Sequence, residues 1–501
     1  MRRLRLPLLV LLAATLACNT LLPRPTATPR APTPTGIFDP PRSTPTPASG
    51  ATSTKRVPTR QPIATVTPAE ALTPEASGAR ACDFVPGVSV PAVMPPGLGA
   101  PTATPPPPPI ELPPNIAVDA DVTAAQLDLY DQFTADIENE YVYPDFNGAD
   151  WPAIQARYRA LIEGGLTDDD FYYALNLVLY DLGDDHSYFE SPVEAAQADQ
   201  EFAGNIDYVG IGVVVEAVPE AGRATIVYTF PGGAAAEAGL RAHDSLLTVD
   251  GEPILDDTGG IKNIIRGEAG SEIALTVQRP GGEPFDLTLV RRRITGATPV
   301  DYCLMPAARV GYIFLPHLDD ETIPDQFRAA LDALTADAPL AGLIIDNRQN
   351  GGGANTVLEA LLGLFLSGPQ GFFVSRDATR PFDIQAEERD GSQAVPLVVL
   401  VGPDTVSYGE IMTGVLQAAG RATVLGQTSL GNVETMWAYT YPGGARAWIA
   451  HETFQYPGQA AGQWEDTGII PDIPVPTRWD LFTEADDPAL AAALVVFGLG
   501  Q

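Results

Sequence analysis

Apolar residues between Asp119 and Gln200 recur every three or four positions, which is the spacing of one face of an α-helix. Thr167, followed by three aspartates, predicts a capped helix start, and Gly183 predicts the end of that helix. We therefore expect three amphipathic helices whose aromatic faces pack together. Their apolar stripes are Tyr130, Phe133, Ile137 and Tyr141, then Trp151, Ile154, Tyr158 and Leu161, then Phe171, Leu175, Val178 and Leu182.

From Tyr208 to about Arg293 the pattern changes to short β-type runs that glycines interrupt. This pattern predicts a second domain built as a small β-barrel. Its runs cover residues 210–215, 224–230, 245–251 and 273–278.

Beyond Ala307, β-type runs alternate with helical patterns, which predicts a parallel sheet with crossover helices. Ligand sites in such sheets lie at the carboxyl ends of the strands. The predicted strands cover residues 310–315, 342–346, 396–401 and 422–425, and the predicted helices cover residues 321–334, residues 356–366 and a segment that starts at Tyr408.

Two candidate features fall at these strand ends. The strand that ends at Asp346 runs into a loop with three consecutive glycines, Gly351 to Gly353, directly before a helix. Such a loop can present N–H groups to an anion, or it can be a flexible turn. Ser407 lies at a later strand-to-helix junction, where a serine serves either as a helix cap or as a nucleophile.

Residues 1–18 have the layout of a secretory signal, with three arginines before an apolar run from Leu6 to Leu16 and Cys18 directly after it. We therefore predict export to a bacterial cell surface or periplasm, with Cys18 as a lipoprotein-type lipid attachment site. Signal cleavage that leaves an unmodified thiol is the alternative. The apolar run is shorter than the roughly 20 residues that span a bilayer, so membrane contact is expected only through the lipid anchor.

Residues 19–116 hold 25 of the 49 prolines of the chain, together with many threonines and alanines, and they show no apolar periodicity. This composition predicts a long disordered or polyproline-like tether between the anchor and the folded part.

The folded part is strongly acidic. Four of the 63 acidic residues and ten of the 29 basic residues precede Glu111, so 59 acidic and 19 basic residues follow. A surface of this sign repels phosphate backbones and anionic lipids, which argues against nucleic acid as a partner.

The chain has three cysteines, and those other than Cys18 are Cys82 and Cys303. In an oxidising compartment these two form either a disulfide or a pair of buried free thiols. No group of histidines and cysteines has metal-ligand spacing, so we expect no metal and no cofactor.

Three segments of the β domain together resemble PDZ domains. They are residues 208–212, the run from Pro231 to Leu240, and residues 244–251. The resemblance implies a peptide-binding loop at Gly210, Ile211, Gly212 and Val213, along which a peptide adds as a strand. His243 stands where glycine is usual in that family, and we interpret it as a turn residue.

The glycine loop and the serine junction, with a PDZ-like domain upstream, resemble the tail-specific (C-terminal processing) peptidase family. The segments 182–187 and 465–473 add to a resemblance that covers roughly Asp119 to Pro476. It implies a multidomain α/β fold with a ClpP/crotonase-like catalytic core and serine peptidase activity. The expected domains are a helical domain (117–200), a PDZ-like domain (201–295), the core (300–480) and a C-terminal helix (481–501).

Better-known members of the family use a serine and a lysine, the lysine in a Gly-Lys-Gly turn. The corresponding turn here reads Gly431-Asn432-Val433, and the only lysines are Lys55 in the tether and Lys262 in the PDZ-like domain. These facts exclude the serine–lysine mechanism.

A second, tricorn-like branch uses serine, histidine and glutamate, and those positions are filled here by Ser407, His186 and Glu465. The resemblance implies that His186 is the general base and that Glu465 orients it. The oxyanion would lie between the N–H of Tyr408 and that of Gly352 or Gly353.

Each of these residues also has a structural alternative. His186 can be a structural hydrogen-bonding residue, Glu465 a surface carboxylate and Ser407 a helix cap, in which case the protein is a catalytically inactive peptide-binding surface protein. We favour an exported serine endopeptidase that acts on C-terminal or unfolded segments of proteins. His317 and His451 are expected at strand ends or on the surface, and Arg348 and Asp346 are expected to brace the glycine loop.

Overall fold

The computed structural model describes residues 79–84, 119–184, 186–465 and 467–499. The predicted signal with Cys18 lies outside these residues, and so does the predicted tether apart from residues 79–84. Within the described residues no helix combines the length and apolar character that a membrane crossing needs.

The N-terminal described region is helical, as predicted. Thr167 caps the third helix by accepting the Asp170 N–H (3.2 Å), and Gly183 follows that helix with a φ of 74°. Phe133 and Ile137 are fully buried, and they share one core with Ala447 and Ile449 of the domain that the family resemblance predicts to be catalytic. The elements are α1 Ala120–Glu140, α2 Trp151–Glu163, α3 Asp168–Asp181, β1 Tyr188–Glu190 and α4 Pro192–Phe202.

The PDZ-like domain contains a six-stranded antiparallel sheet, in which β3-β4-β5-β7-β8 follow in order and β6 pairs with β5, and a separate β2–β9 pair. It has its own core, which includes Ile226, Leu246 and Val277. β3 is a terminal strand, so one of its edges is not used by the sheet. The elements are β2 Ile206–Gly210, β3 Val213–Val218, β4 Arg223–Thr229, α5 Ala234–Glu237, β5 Ser245–Val249, β6 Glu252–Pro253, β7 Glu272–Gln278, β8 Phe285–Val290 and β9 Arg292–Gly296.

The catalytic domain begins with a six-stranded sheet in the order β10-β11-β12-β15-β16-β19. All neighbouring strands are parallel except β10 and β11, which confirms the predicted alternation of strands and helices. Leu343 and Ile345 face one core while Ile344 faces another, because alternate side chains of a strand point to opposite faces. Its elements are β10 Tyr302–Met305, β11 Val310–Phe314, α6 Ile323–Thr335, β12 Gly342–Asp346, α7 Asn355–Gly363, β13 Gly368–Val374, β14 Thr379–Ile384, β15 Leu397–Val401, α8 Tyr408–Ala418, β16 Thr423–Gly426, β17 Thr435–Thr440, β18 Arg446–Gln455, β19 Ile473–Pro474 and α9 Pro488–Val496.

A second, antiparallel sheet that the sequence did not predict joins the helical domain to the catalytic domain. Its order is β1-β18-β13-β14, with β17 also paired to β18. Tyr188 of β1 pairs with Trp448 of β18, and the Ser187 hydroxyl accepts the Ala450 N–H (2.8 Å). This pairing fixes the loop that carries His186 against the catalytic domain.

Cys82 and Cys303 form a disulfide, which decides between the two alternatives left by the sequence. The Cys82 N–H donates to Leu304 O (2.9 Å), and the Leu304 N–H donates to Arg80 O (2.8 Å). The segment 79–84 therefore covers the outer edge of β10. Among the described residues, one group of three potential metal-ligating side chains lies close together, Cys82, Cys303 and Glu484, and both of its sulfur atoms belong to the disulfide.

Candidate active site

Ser407 occupies the N-cap position of α8 in a strained backbone conformation (φ 55°, ψ −126°) that non-glycine residues rarely adopt. Its N–H donates to Asn432 O (2.9 Å) and to Glu410 Oε2 (3.2 Å). The side chain is only 8% exposed, and it lies against the glycine loop. Strain of this kind is kept where the surroundings hold a functional group in place, as in nucleophile turns between a strand and a helix.

The glycine loop packs so closely that side chains are sterically excluded at two positions. A β-carbon on Gly352 would lie 2.6 Å from Ser407 Cβ, and one on Gly353 would lie 2.0 Å from the carbonyl carbon of Leu318. The loop is held by the Leu318 N–H, which donates to Gly352 O (2.6 Å). These contacts argue against the flexible turn, while anion binding by the loop stays a prediction.

The structure sharpens the oxyanion prediction. Tyr408 is the first residue of α8, so its N–H has no acceptor within the helix. A β-carbon on Gly352 would lie 3.2 Å from that nitrogen, which places it beside the loop. The Gly352 N–H already donates to Asn350 Oδ1 (2.9 Å), so Gly353 is the glycine left to supply the second donor.

Arg348 holds the start of the glycine loop through buried ion pairs, and the sequence predicted such a bracing role. Its guanidinium is 1% exposed and donates to Asp346 (2.6 and 2.9 Å) and Asp487 (2.6 and 3.3 Å). The rings of Trp479 and Phe482 lie 4.8 and 5.4 Å from its central carbon. Burial lowers the pKa of Arg348, but the two carboxylates outweigh it and raise this pKa overall.

His243 connects the PDZ-like domain to this cluster. Its ring stacks on Trp479 at 4.1 Å, and its Nδ1–H donates to Trp479 O (2.8 Å). The φ of 76° fits a turn residue, as we interpreted it. The ring is nevertheless buried in an interdomain contact, and this burial lowers its pKa to about 4.

His186 is 7% exposed and is held by a local turn. Asp184 Oδ1 accepts the N–H groups of His186 and Ser187 (both 2.8 Å), and Asp184 Oδ2 accepts the Ser187 hydroxyl (2.6 Å). The Nδ1 atom lies 3.6 Å from Glu434 Oε2. This distance suits an ion pair, and catalytic contacts in a ligand-free site are often longer than hydrogen bonds.

The sequence reasoning missed Glu434. Its Oε1 accepts the Tyr143 hydroxyl (2.7 Å), and its carboxyl group is within hydrogen-bonding reach of Glu465. Burial raises the pKa of Glu434, but His186, Glu465 and Tyr143 outweigh burial and lower it overall. Glu465 is half-buried, and its Oε2 accepts the Val433 N–H (2.8 Å), so it belongs to this cluster rather than to an open surface.

One short segment connects Ser407 to the carboxylate that faces His186. Fully buried Glu410 accepts the Ser429 hydroxyl (2.6 Å) and the N–H groups of Gly431 (2.7 Å) and Asn432 (2.9 Å). Asn432 O accepts the Ser407 N–H, and Glu434 follows two residues later. Two residues span at most about 7 Å, so Ser407 and the carboxylate that faces His186 belong to one site. Burial raises the pKa of Glu410 to about 7, against the effect of these donors.

The predicted peptide-binding loop lies at the start of the terminal strand β3. Gly210 ends β2 and Val213 begins β3, while the Ile211 side chain is fully buried in the core of the PDZ-like domain. Gly212 has a φ of 79°, and a β-carbon there would lie 3.0 Å from Gly233 Cα. The carbonyl groups of Ile211 and Gly212 already accept N–H groups of their own domain (both 2.9 Å), so peptide binding at this loop stays a prediction.

The other two histidines are not exposed. Burial lowers the pKa of His317, but contact with Asp319 outweighs it and raises the pKa overall. His317 directly precedes Leu318, which binds the glycine loop. His451 lies inside β18 and stacks on Trp437 at 4.0 Å.

A strained serine at a helix start, a glycine loop packed on it and a buried histidine–carboxylate pair define a serine hydrolase core, here joined to a PDZ-like domain. Residues 309–475 match peptidase family S41, residues 228–279 match a PDZ domain, and residues 125–179 match the tricorn protease C1 domain. The chain therefore contains a serine peptidase domain of family S41 together with a PDZ domain.

Curated relatives agree with this assignment. The chloroplastic C-terminal processing peptidase of Tetradesmus obliquus is 26% identical over 373 residues, which cover 70% of this chain and 77% of the relative. The carboxyl-terminal-processing protease of Synechocystis is 27% identical over 371 residues, which cover 70% of this chain and 82% of the relative.

Two solved structures share the fold. A photosystem II D1 C-terminal processing protease has a TM-score of 0.50 at 23% identity and covers 73% of this chain and 99% of its own. A putative S41 protease from Bacteroides fragilis has a TM-score of 0.51 at 14% identity and covers 78% and 100%.

Proposed function

We propose that this protein is an exported endopeptidase in which Ser407 is the nucleophile and His186 the general base. The observation that carries the proposal is the segment 429–434, which ties the strained serine to the carboxylate that faces the imidazole. Glu465, the predicted orienting residue, belongs to the same carboxyl cluster. The role of Glu465 in orienting His186 stays a prediction.

The chemistry is acyl transfer in two halves. His186 takes the proton of Ser407 as the hydroxyl oxygen attacks the peptide carbonyl, and it then protonates the leaving amine. The N–H groups of Tyr408 and Gly353 stabilise the oxyanion that forms in each half. Water, activated by the same imidazole, then releases the acyl group from the serine.

The PDZ-like domain points to protein or peptide substrates. β3 is a terminal strand that directly follows the glycine-containing loop, so an extended segment can add along its unused edge. Relatives with about a quarter of their residues identical are named C-terminal processing peptidases. We therefore propose C-terminal or unfolded segments of exported proteins as the substrate class.

Export is supported by the disulfide between Cys82 and Cys303, because such bonds persist in oxidising compartments. The predicted signal and lipid anchor at Cys18 agree with it. Loss of radiolabelled fatty acid from the protein in a Cys18→Ser variant would test the anchor, and unchanged incorporation would contradict it.

The catalytic proposal is tested with a fluorophosphonate probe on residues 19–501, which keep the disulfide. We expect labelling at Ser407 that disappears in Ser407→Ala and in His186→Ala but persists in the control Ser375→Ala, a serine of the β13–β14 turn. A folded parent that does not label between about pH 6 and 9, the range in which histidine titrates, would favour an inactive peptide-binding protein instead.

A further inference from the structure

The carboxyl groups around His186 outnumber the cations that the described residues bring to it. Asp184 holds the His186 turn, Glu434 faces the ring, and Glu465 Oε2 accepts the N–H of Val433, the residue directly before Glu434 (2.8 Å). Burial, followed by the charge of Glu434, raises the pKa of Asp184. Negative charge is thus already costly at this site, and the further charge of an ionised Glu465 would be costlier still.

Two carboxyl groups within hydrogen-bonding reach, of which Glu434 is buried and Glu465 half-buried, hold one proton between them. Neither group can donate when both are ionised, and like charges at this distance repel strongly. The pair formed by Glu434 and Glu465 therefore has one carboxylate and one carboxylic acid in the working enzyme. The question is which residue carries the proton.

The contacts assign the negative charge to Glu434. It accepts the Tyr143 hydroxyl (2.7 Å) and lies 3.6 Å from the imidazole nitrogen, so a donor and a potential cation face it. Glu465 accepts the main-chain N–H of Val433 at Oε2 (2.8 Å) and meets Glu434 as its carboxyl neighbour. A proton on Glu465 gives Glu434 a further donor, whereas a proton on Glu434 would weaken its attraction for His186.

We propose that Glu434 is the ionised residue that orients His186, and that Glu465 holds the proton of the pair and donates it to Glu434. Tyr143, from the helical domain, fixes the second oxygen of Glu434. This inference rests on the proposed function of Ser407 and His186, and it divides the predicted role of Glu465 between two residues.

The arrangement has a chemical purpose. A single carboxylate stabilises the imidazolium that forms during the reaction and fixes the tautomer of the free ring. Two full negative charges would raise the pKa of the imidazole further and keep it protonated, so that it could not act as a base near neutral pH. Sharing one proton between Glu434 and Glu465 limits the charge to the amount that the reaction needs.

The test compares two isosteric substitutions in residues 19–501. In Glu465→Gln the amide N–H still donates to Glu434, so we expect the labelling rate of Ser407 to fall by about tenfold or less. In Glu434→Gln the orienting charge is lost and the amide can favour the wrong tautomer, so we expect a fall of about 10²–10⁴-fold. Glu387→Gln, which affects only a surface pair with Arg328, is the matched control and should match the parent.

A second readout does not depend on catalysis. The chain has four histidines, so selective ¹⁵N labelling of imidazole gives few NMR signals, and a His186→Ala variant assigns the relevant one. We expect Glu434→Gln to lower the pKa of His186 by at least one unit, as loss of an adjacent charge does. Glu465→Gln should change that pKa by much less.

The outcomes separate the two proposals. A parent that does not label at Ser407 overturns the proposed function, while the His186 titrations still decide the role of the pair. Equal effects of the two glutamine variants on the His186 titration, or a larger effect of Glu465→Gln, overturn the assignment of the charge to Glu434. A parent that labels, with a larger loss of rate in Glu465→Gln than in Glu434→Gln, restores Glu465 as the orienting residue.

Discussion

Two buried charged clusters, one at the start of the glycine loop and one at His186, differ in the cation that each contains. Below the glycine loop, the guanidinium of Arg348 is permanently charged and donates to Asp346 and Asp487. In the other cluster, Glu434 faces the imidazole of His186, which becomes a cation only when it takes a proton.

The Arg348 cluster is suited to holding the backbone in place, whereas the His186 cluster is suited to binding and releasing a proton. A fixed cation between two carboxylates keeps the start of the glycine loop in one position over the whole working pH range. An acid-rich cluster around a titratable ring keeps a site ready to accept a positive charge. Variants that remove one charge from each cluster should therefore fail in different ways.

The largest expected effect follows loss of the fixed cation. Arg348→Met leaves Asp346 and Asp487 buried without their partner, so we expect a loss of about 3–5 kcal/mol in the free energy of unfolding. Urea denaturation at about neutral pH measures it, and labelling of Ser407 should be lost as the loop shifts.

Arg328→Met is the matched control, because Arg328 pairs with Glu387 and Asp325 at the surface. Its expected cost is below about 1 kcal/mol. If both variants lost the same small amount of stability, Arg348 would not be the structural cation that we describe.

The next largest effect is a pH dependence of the free energy of unfolding, which arises from His243 beside the Arg348 cluster. Burial lowers the pKa of His243 to about 4, so the folded protein resists its protonation while the unfolded chain accepts a proton near pH 6.5. The stability from neutral His243 is therefore complete above about pH 6.5 and is lost as pH falls toward 4, by about 3 kcal/mol.

His243→Asn removes the titration but keeps a donor and tolerates the positive φ. The difference in unfolding free energy between parent and variant should shrink by that amount between about pH 7 and 4. The comparison must be a difference, because Glu410 titrates in the opposite sense. Its raised pKa contributes stability below about pH 4.5 that is lost as pH rises through 7. A difference that does not change with pH would contradict the buried, neutral state of His243.

Local pattern was sufficient to place Ser407 and the glycine loop at strand-to-helix junctions and His186 after a helix, while their catalytic roles stay predictions. Each lies at the end of a strand or helix whose periodicity is visible in ten to twenty residues, and the family resemblance supplied the pairing. The parallel order of the first sheet followed for the same reason, since alternating strands and helices leave few topologies.

The second sheet could not be predicted in this way, and Glu434 was missed with it. The exposure of β17 does not alternate along the strand, so it lacks the period that marks a strand. Its partner β18 is held by Ser187, 263 residues away from Ala450 in the sequence. Contacts at that separation leave no local signal. The one available hint was the acidic residue directly after the Gly431-Asn432-Val433 turn, the turn in which other family members carry a lysine.

A smaller effect should follow loss of the Glu410 carboxylate, which accepts N–H groups of Ser407 and of the segment 429–434. Glu410→Gln replaces one carboxylate oxygen by a donor, so some of the N–H groups of Ser407, Gly431 and Asn432 lose their acceptor. Each buried donor left unsatisfied costs about 1–3 kcal/mol. We expect about 2 kcal/mol of lost stability and a fall in the labelling rate of about tenfold or more.

Glu359→Gln is the control for that variant. Glu359 accepts the Asn355 side chain within one helix turn (2.6 Å), and glutamine can still accept it. Its effect should stay within about 0.5 kcal/mol. An unchanged labelling rate in Glu410→Gln would show that the segment 429–434 holds the serine without Glu410.

The smallest expected effect tests whether the acid-rich cluster extends into the helical domain. Tyr143→Phe removes the hydroxyl that donates to Glu434 Oε1, and Tyr441→Phe removes an equivalent bond to Asp136 Oδ2 (2.8 Å) outside the site. Each should cost about 1 kcal/mol of unfolding free energy. Only Tyr143→Phe should also slow the labelling of Ser407, by up to about tenfold, because Glu434 then loses a donor and its pKa rises. Equal labelling rates in the two variants would mean that the helical domain supplies His186 but does not support the carboxylate of Glu434.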